Sequence, residues 1–306
     1  MRAGEHRTLA FGGPLGDVPR VVPAEQRKPF WLYPNLLSLD APLVAVAWLY
    51  VFAKTWRLYL PWEAYVTLGL VVWLIYAADR LLDVALLGGT SGILEARHEF
   101  HRKHNKAFRI AIGVVIVMLL VLVTNIMSYG IYEYLPFGGL LVAGFFGLSM
   151  LSSQDTNEVH HTKNILAGIT FAYGTAMTAH FYRQELGIYD MLRSHEFLTF
   201  AVLCAVNISA INLWEHAARS TDLEIKASDE LALTFPLMLL GGAALMYAVF
   251  DEEQTSRPFF YAILTGAALL YILNRNRSRF SMDALRVLAD VALLIPVLVF
   301  VAASQG

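Results

Sequence analysis

The stretch Trp73-Leu-Ile-Tyr-Ala-Ala-Asp79-Arg80-Leu-Leu-Asp83 closes a long apolar segment that begins near Trp62. Asp79 and Asp83 are four residues apart, so on a helix they share one face. Carboxylates inside a membrane-type helix are costly and by default mark a functional site with a partner cation. The alternative is that they pair locally with Arg80 or cap the helix end, although the helix macrodipole disfavours acids at a C-terminal end.

The composition is that of an integral membrane protein. Of the 306 residues, 57% are hydrophobic and 16% are charged, whereas soluble domains average about 25% charged residues. The net charge of −2 gives no reason to expect nucleic acid as a partner, and the single cysteine cannot form an internal disulfide. Residues 1–34 lack the apolar core of a signal peptide and are expected to form a polar cytoplasmic tail before one transmembrane domain, 35–306.

Hydropathy predicts an all-α, polytopic membrane protein with about nine transmembrane helices. The criterion is that a bilayer-spanning helix needs about 20 mostly apolar residues. The spans are expected at roughly 38–56, 62–83, 108–128, 132–152, 163–182, 196–215, 230–250, 258–274 and 284–303.

The distribution of lysine and arginine predicts the orientation of the bundle. With the N-terminus inside, the cytoplasmic segments carry 18 of the 23 basic residues and the opposite side carries 5. Because cytoplasmic segments of membrane proteins are enriched in basic residues, the N-terminus is expected in the cytoplasm and the C-terminus outside.

This orientation gathers the polar segments on the cytoplasmic side. Asp79 and Asp83 end the second span, Lys163 opens the fifth, and a further group follows the sixth: Asn212, Glu215, His216, Arg219 and Asp222. Carboxylates on two helices with basic residues between them suit a metal-bridged diphosphate, because Mg²⁺ uses one or two carboxylates plus substrate phosphates. The alternative for the second group is a polar helix end with a Glu215–Arg219 pair.

Other ionisable residues have simpler interpretations beside the functional one. Lys163 at a helix start is explained either by a ligand phosphate, since helix N-termini bind anions, or by the basic bias of cytoplasmic segments. Asp40 begins the first span and is a candidate site-lining residue. Asp290 lies four residues after Arg286 and is expected to pair with it as packing.

The connection after the second span is rich in histidine and basic residues. His98, His101 and His104 have the spacing H-x-x-H-x-x-H, but arginine, lysine and glutamate surround them. A positively charged cytoplasmic loop, a phosphate-contacting loop that uses Arg97, Arg102 and Lys103, and a metal site are the three interpretations, in that order.

These features resemble the UbiA superfamily of intramembrane prenyltransferases, over about residues 35–303. Asp79 and Asp83 match the last two aspartates of that family's Asn-x-x-x-Asp-x-x-x-Asp motif, and Lys163 falls where many members carry a basic residue. The position of the motif's asparagine is Ile75 here, and only Asn212, Glu215 and His216 stand in for the second acidic motif.

The resemblance implies a bundle of that family's type and transfer of a prenyl group from a Mg²⁺-bound prenyl diphosphate to an aromatic or other lipophilic acceptor. It implies catalytic roles for Asp79, Asp83, Glu215 and Lys163. The metal ligands would be Asp79, Asp83, Glu215 and Asp222. The candidate substrate contacts are Arg80, Arg97, Arg102, Lys103, Asn212, His216, Arg219 and Asp40.

Two other functions remain open. A membrane di-iron oxygenase or desaturase would use the histidines on the cytoplasmic side, which are His98, His101, His104, His160, His161 and His216, since histidine suits iron. A non-catalytic isoprenoid- or lipid-binding protein of the same fold would explain the loose second motif. The prenyl chain length, the acceptor and the oligomeric state do not follow from the sequence.

Overall fold

The computed structural model describes residues 29–86, 96–125, 129–151, 157–183, 187–251 and 255–305, and within these ranges it is helical without a strand. The helices are α1 Tyr33–Leu36, α2 Asp40–Thr55, α3 Trp62–Leu86, α4 Ala96–Lys103, α5 Asn105–Asn125, α6 Leu135–Leu151, α7 Asn157–His180, α8 Ile188–Arg193, α9 His195–Arg219, α10 Leu223–Phe250, α11 Arg257–Asn276 and α12 Met282–Ala303.

Several of these helices can cross a bilayer, so the prediction of an all-α membrane protein is confirmed. Among the described residues, five helices are long and apolar enough, and the bent pair α1 and α2 would make six. The five cover Asn105–Thr124, His195–Arg219, Leu223–Phe250, Arg257–Arg279 and Met282–Ala303. A helix of 16 residues or more lies at each of the nine predicted positions, but nine membrane crossings and the orientation of the termini stay predictions.

Two helices begin six or more residues before their predicted spans, because hydropathy locates the hydrocarbon-embedded part of a helix rather than its ends. The α10 helix begins at Leu223, where Asp222 accepts a hydrogen bond from the Glu224 amide at 2.8 Å and caps the helix. The α7 helix begins at Asn157, six residues before the expected span. The segment predicted as a basic loop contains α4.

Aromatic side chains of α2, α9 and α11 form the centre of the bundle. Trp48 and Phe52 are fully buried, and their rings lie 4.5 Å and 5.4 Å from the ring of Phe200. The indole of Trp48 donates a 2.8 Å hydrogen bond to the carbonyl of Leu293 on α12. A tryptophan buried with its N–H satisfied stabilises the packing without a polar penalty.

The α7 and α9 helices approach so closely at Gly168 that no side chain fits there. A Cβ at Gly168 would overlap the backbone of Ala205, whereas Gly174 on the same helix has nothing within 4 Å of its Cβ position. Small residues allow such close contact between membrane helices. This contact fixes the positions of α7 and α9 relative to each other along their helix axes.

Gly168→Ala is therefore expected to destabilise the bundle by about 2 kcal/mol, within the usual cost of overpacking. Thermal unfolding of the detergent-solubilised protein measures the effect. Gly174→Ala is the matched control and should be neutral or slightly stabilising, because alanine is the better helix former. Equal stability of the two variants would contradict the close approach.

Candidate functional site at the charged end of the bundle

The structure brings Asp79 and Lys163 together, 84 residues apart in sequence. The Lys163 Nζ on α7 lies 3.5 Å from the Asp79 Oδ1 on α3, and their side chains are 17% and 22% exposed. The Ser149 hydroxyl on α6 donates to the same carboxylate oxygen at 3.3 Å. Three helices thus contribute to one polar centre, which we call the Asp79 centre.

Apolar and polar neighbours shape the Asp79 centre on the α7 side. The Lys163 ammonium lies 5.3 Å from the centroid of the Phe145 ring, which adds a cation–π contact. Asn164, the next residue, is also buried, but successive residues of a helix point in different directions, so its side chain lies on another face of α7 than Lys163.

Arg80, expected to contact substrate, is instead buried and holds the N-terminal segment. Its Nη1 donates a 2.8 Å hydrogen bond to the carbonyl of Asn35 in α1. The Asn35 amide in turn donates to the carboxylate of Asp40 at 2.5 Å, and the Asp40 Oδ1 accepts from the Ala41 amide. Asp40 therefore orders the start of α2, close to the site rather than free within it.

Glu215 forms a separate ion-pair centre at the same end of the bundle. Arg286 on α12 donates to its Oε1 from Nη2 at 2.6 Å and from Nε at 3.2 Å. Arg286 also contacts Asp283 at 3.2 Å, and Arg219 lies 3.7 Å from Glu215. Arg286 thus joins α12 to α9, while the expected Arg286–Asp290 pair stays a prediction, and we call this group the Glu215 centre.

Helix directions show that both centres lie at one end. Lys163 precedes Gly168 by five residues, and Glu215 follows Ala205 by ten, so both lie toward the same end of the antiparallel pair α7 and α9. We call this region the charged end.

Other predicted site residues have local structural contacts. Asp222 caps α10, and the His216 Nδ1 lies at hydrogen-bonding distance, 2.8 Å, from the Asp229 Oδ2. Asn212 is half-buried on α9, while Arg102 and Lys103 are exposed on α4. The side chains of Arg97, His98 and His160 lie outside the described residues, as does the tail up to residue 28.

The described histidines do not form a metal cluster. His101 is fully buried, with its Nε2 3.5 Å from the Ser38 hydroxyl and its ring 4.1 Å from the ring of Phe108. His104 bonds the carbonyl of Phe100 at 2.9 Å. In the described part of the chain, no group of three or more histidine, cysteine or acidic residues could hold a metal ion. The di-iron hypothesis stays a prediction, because the side chains of His98 and His160 lie outside the described residues.

The same finding bears on magnesium, because a cage made only of protein carboxylates is absent from the described residues. Mg²⁺ does not need one, since it is usually bound by one or two carboxylates together with substrate phosphates and water. Asp79 and Asp83 on one face of α3 fit that requirement, and the Lys163 ammonium could pair with a phosphate oxygen. Glu215 is already occupied by arginine side chains.

Sequence reasoning missed Ser149 and Arg286 as members of the two centres. Both reach their partners only through the packing of distant helices. No protein-family model matches the chain, and no curated protein or solved structure is significantly similar to it.

Proposed function

We propose that this protein is an intramembrane prenyltransferase of the UbiA type, which binds a prenyl diphosphate at the Asp79 centre and transfers its prenyl group to a lipophilic acceptor. The observation that supports the proposal most directly is the contact between Asp79 and Lys163 across α3 and α7. A carboxylate for a metal and an ammonium for a phosphate lie side by side at the end of an apolar bundle.

The charge of each residue in the Asp79 centre determines its proposed role. Asp79 and Asp83 would hold Mg²⁺, which supplies neutralisation of the negative charge that develops on the leaving diphosphate. Lys163 pairs with a phosphate oxygen. The apolar bundle excludes water from the allylic cation. In the ligand-free protein, the contact with Lys163 stabilises the Asp79 carboxylate.

Glu215 is assigned a different role from the one the resemblance implies. Its carboxylate bonds the buried guanidinium of Arg286, so it joins α9 to α12. Asp222 likewise caps a helix. We therefore place the metal site at α3 alone and treat the second motif as structural.

The commitment of the second motif to internal contacts favours a second candidate function. A protein that binds an isoprenoid or another lipid without turnover needs an anion site and an apolar bundle but no second metal cluster. In this case Lys163 would bind the head group, and Asp79 would serve only as its counterion.

Binding of radiolabelled geranylgeranyl diphosphate to the detergent-purified protein tests both functions. We expect binding that requires Mg²⁺, is abolished by EDTA and is lost in the Asp79→Ala/Asp83→Ala variant. The reason is that the two carboxylates carry the metal that bridges to the diphosphate.

The control is geranylgeraniol, which has the same chain without the diphosphate and should bind equally with or without Mg²⁺. Diphosphate binding that is indifferent to both Mg²⁺ and the aspartates would contradict the transferase proposal and favour the lipid-binding function.

A further inference from the structure

A cleft with a volume of about 330 Å³ lies at the end of the bundle opposite the charged end, where α9 and α11 begin and α10 ends. Its volume is within the range of small-ligand sites. The carboxylates of Glu196 and Asp251 line it together with the rings of Tyr247, Phe250 and Phe260. No lysine or arginine is among the described residues of the lining. The cleft is therefore acidic and aromatic, and it is separate from the Asp79 centre.

Ser256, a further residue of the lining, orients the two carboxylates. Its hydroxyl donates to the Glu196 Oε1 at 2.7 Å, and its backbone amide donates to the Asp251 Oδ2 at 2.8 Å. Each carboxylate keeps its other oxygen, which receives no hydrogen bond or ion pair from the described residues. Asp251 is also the C-cap of α10, where the helix macrodipole adds negative potential. Two acceptor oxygens thus face a cleft that favours positive charge.

Aromatic rings form the other walls of the cleft. The ring of His195 stacks on that of Tyr247 with 4.4 Å between the centroids, and the Tyr247 and Phe260 centroids lie 5.2 Å apart. The faces of tyrosine and phenylalanine rings attract organic cations. A metal ion is a poorer occupant, because the described part of the chain holds no group of three or more potential ligands for one. The walls therefore favour an organic cation.

We propose that this cleft binds the primary ammonium group of an ethanolamine phospholipid. An ammonium group with three N–H bonds can donate to the remaining oxygens of both Glu196 and Asp251, and such charge-assisted hydrogen bonds are the strong ones. The aromatic walls then contact the carbon atoms beside the nitrogen. The quaternary ammonium of a choline head group has no N–H to donate. This inference does not rest on the proposed function.

The surroundings of the cleft favour a lipid over a soluble amine. Phe250 lines the cleft and is 74% exposed, and Met246, four residues earlier, extends the same exposed apolar face along α10 for acyl chains. The exposed Arg57 donates to the Thr255 hydroxyl at 3.2 Å, one residue before Ser256. A cation for the lipid phosphate therefore lies beside the acidic cleft. Both charges of a zwitterionic head group meet an opposite charge there.

Native mass spectrometry of the detergent-purified full chain tests the proposal. The probes are dioleoyl phosphatidylethanolamine and dioleoyl phosphatidylcholine, which have the same acyl chains and phosphate and differ only in the methyl groups on nitrogen. We expect the ethanolamine lipid to bind about tenfold more tightly, because the choline lipid cannot form the hydrogen bonds to the two carboxylates.

Glu196→Gln/Asp251→Asn is expected to remove the preference for the ethanolamine lipid. Both substitutions remove the negative charge, while the amide oxygens can still accept from Ser256. The matched control is Glu63→Gln/Asp190→Asn, which makes the same two changes at the same end of the bundle. Glu63 lies in the first turn of α3 and Asp190 in the first turn of α8, and neither lines the cleft. The control should keep the preference.

Equal affinities of the wild-type protein for the two lipids would overturn the proposal, and this comparison needs no variant that could misfold. Loss of the preference in the control variant as well would assign it to the overall charge of this end of the bundle, which also contradicts the site. Displacement of the ethanolamine lipid by an equal concentration of spermidine would overturn the lipid as the ligand in favour of a soluble polyamine. Because the samples contain neither prenyl diphosphate nor Mg²⁺, the outcome is independent of prenyl transfer.

Discussion

Lys163→Met is expected to lower Mg²⁺-dependent prenyl transfer by roughly 10²–10³-fold, the range seen when one group that stabilises developing negative charge is removed. Methionine keeps most of the length and the apolar contact with Phe145 but removes the ammonium that lies 3.5 Å from Asp79. The measurement is incorporation of tritiated geranylgeranyl label into organic-soluble product, with a membrane lipid extract as the source of acceptors.

Lys54→Met is the matched control for this prediction. Lys54 lies at the opposite end of the bundle near the C-terminus of α2, where it is exposed over the ring of Tyr50. It should leave transfer within twofold of wild type. A Lys163→Met protein that keeps full transfer would remove Lys163 from the chemistry.

A purely structural role of Lys163 predicts a different pattern. If the lysine served only as a counterion of Asp79, transfer by Lys163→Met would fall only as far as the folded fraction of the protein falls. We expect transfer to be lost in Lys163→Met protein that is still folded, as checked by its thermal unfolding midpoint. The comparison of transfer with stability therefore separates the ion pair as a packing element from the ion pair as a binding site.

Glu215→Gln is expected to cost about 3 kcal/mol of stability, the lower end of the range for breaking a buried ion pair. Its partner Arg286 has a side chain only 6% exposed, so the guanidinium loses its main counterion where water cannot replace it. Asp283 remains as a second, more exposed partner at 3.2 Å and limits the loss. Thermal or denaturant unfolding of the solubilised protein measures the change.

Arg219→Met provides the control because it removes the other arginine at the same carboxylate. The side chain of Arg219 is 76% exposed and lies 3.7 Å from Glu215, so its loss should cost at most about 1 kcal/mol, as for surface pairs. The Glu215→Met/Arg286→Met variant should recover most of the stability, because apolar replacement of both partners removes the desolvation cost. Equal losses of stability for Arg219→Met and Glu215→Gln would contradict the conclusion that Arg286 is the main partner of Glu215.

The sequence predicted the helical class and the positions of the long helices because hydrophobic runs determine both. It also predicted that Asp79 and Lys163 belong to one site, since hydropathy and the bias of basic residues place both at the same end of the bundle. The geometry of that contact needed the packing of α3 against α7, which no local pattern encodes.

The partners of the other polar residues could not be predicted for the same reason. Glu215 and Arg286 are 71 residues apart, and Ser38 and His101 are 63 apart. Side chains expected to meet substrate, such as Arg80, instead satisfy buried backbone groups. A single sequence shows which residues are costly to bury, but it does not show which partner reduces that cost.

The bend at the beginning of the chain affects where substrates meet the protein. The segment Phe30–Leu36 lies at 80° to α2, and Ser38 between them has a φ of 58°, in the left-handed region. With α2 along the membrane normal, this segment lies along the membrane surface, and its exposed Phe30 and Trp31 are suited to the head-group region.

Two side chains hold this surface segment beside α3. Arg80, the residue after Asp79, bonds the carbonyl of Asn35, and His101 contacts the hydroxyl of Ser38. In the prenyltransferase proposed above, this segment would hold the Asp79 carboxylate near the lipid head groups. A diphosphate lipid could then reach the site by lateral diffusion, with its chain still in the bilayer.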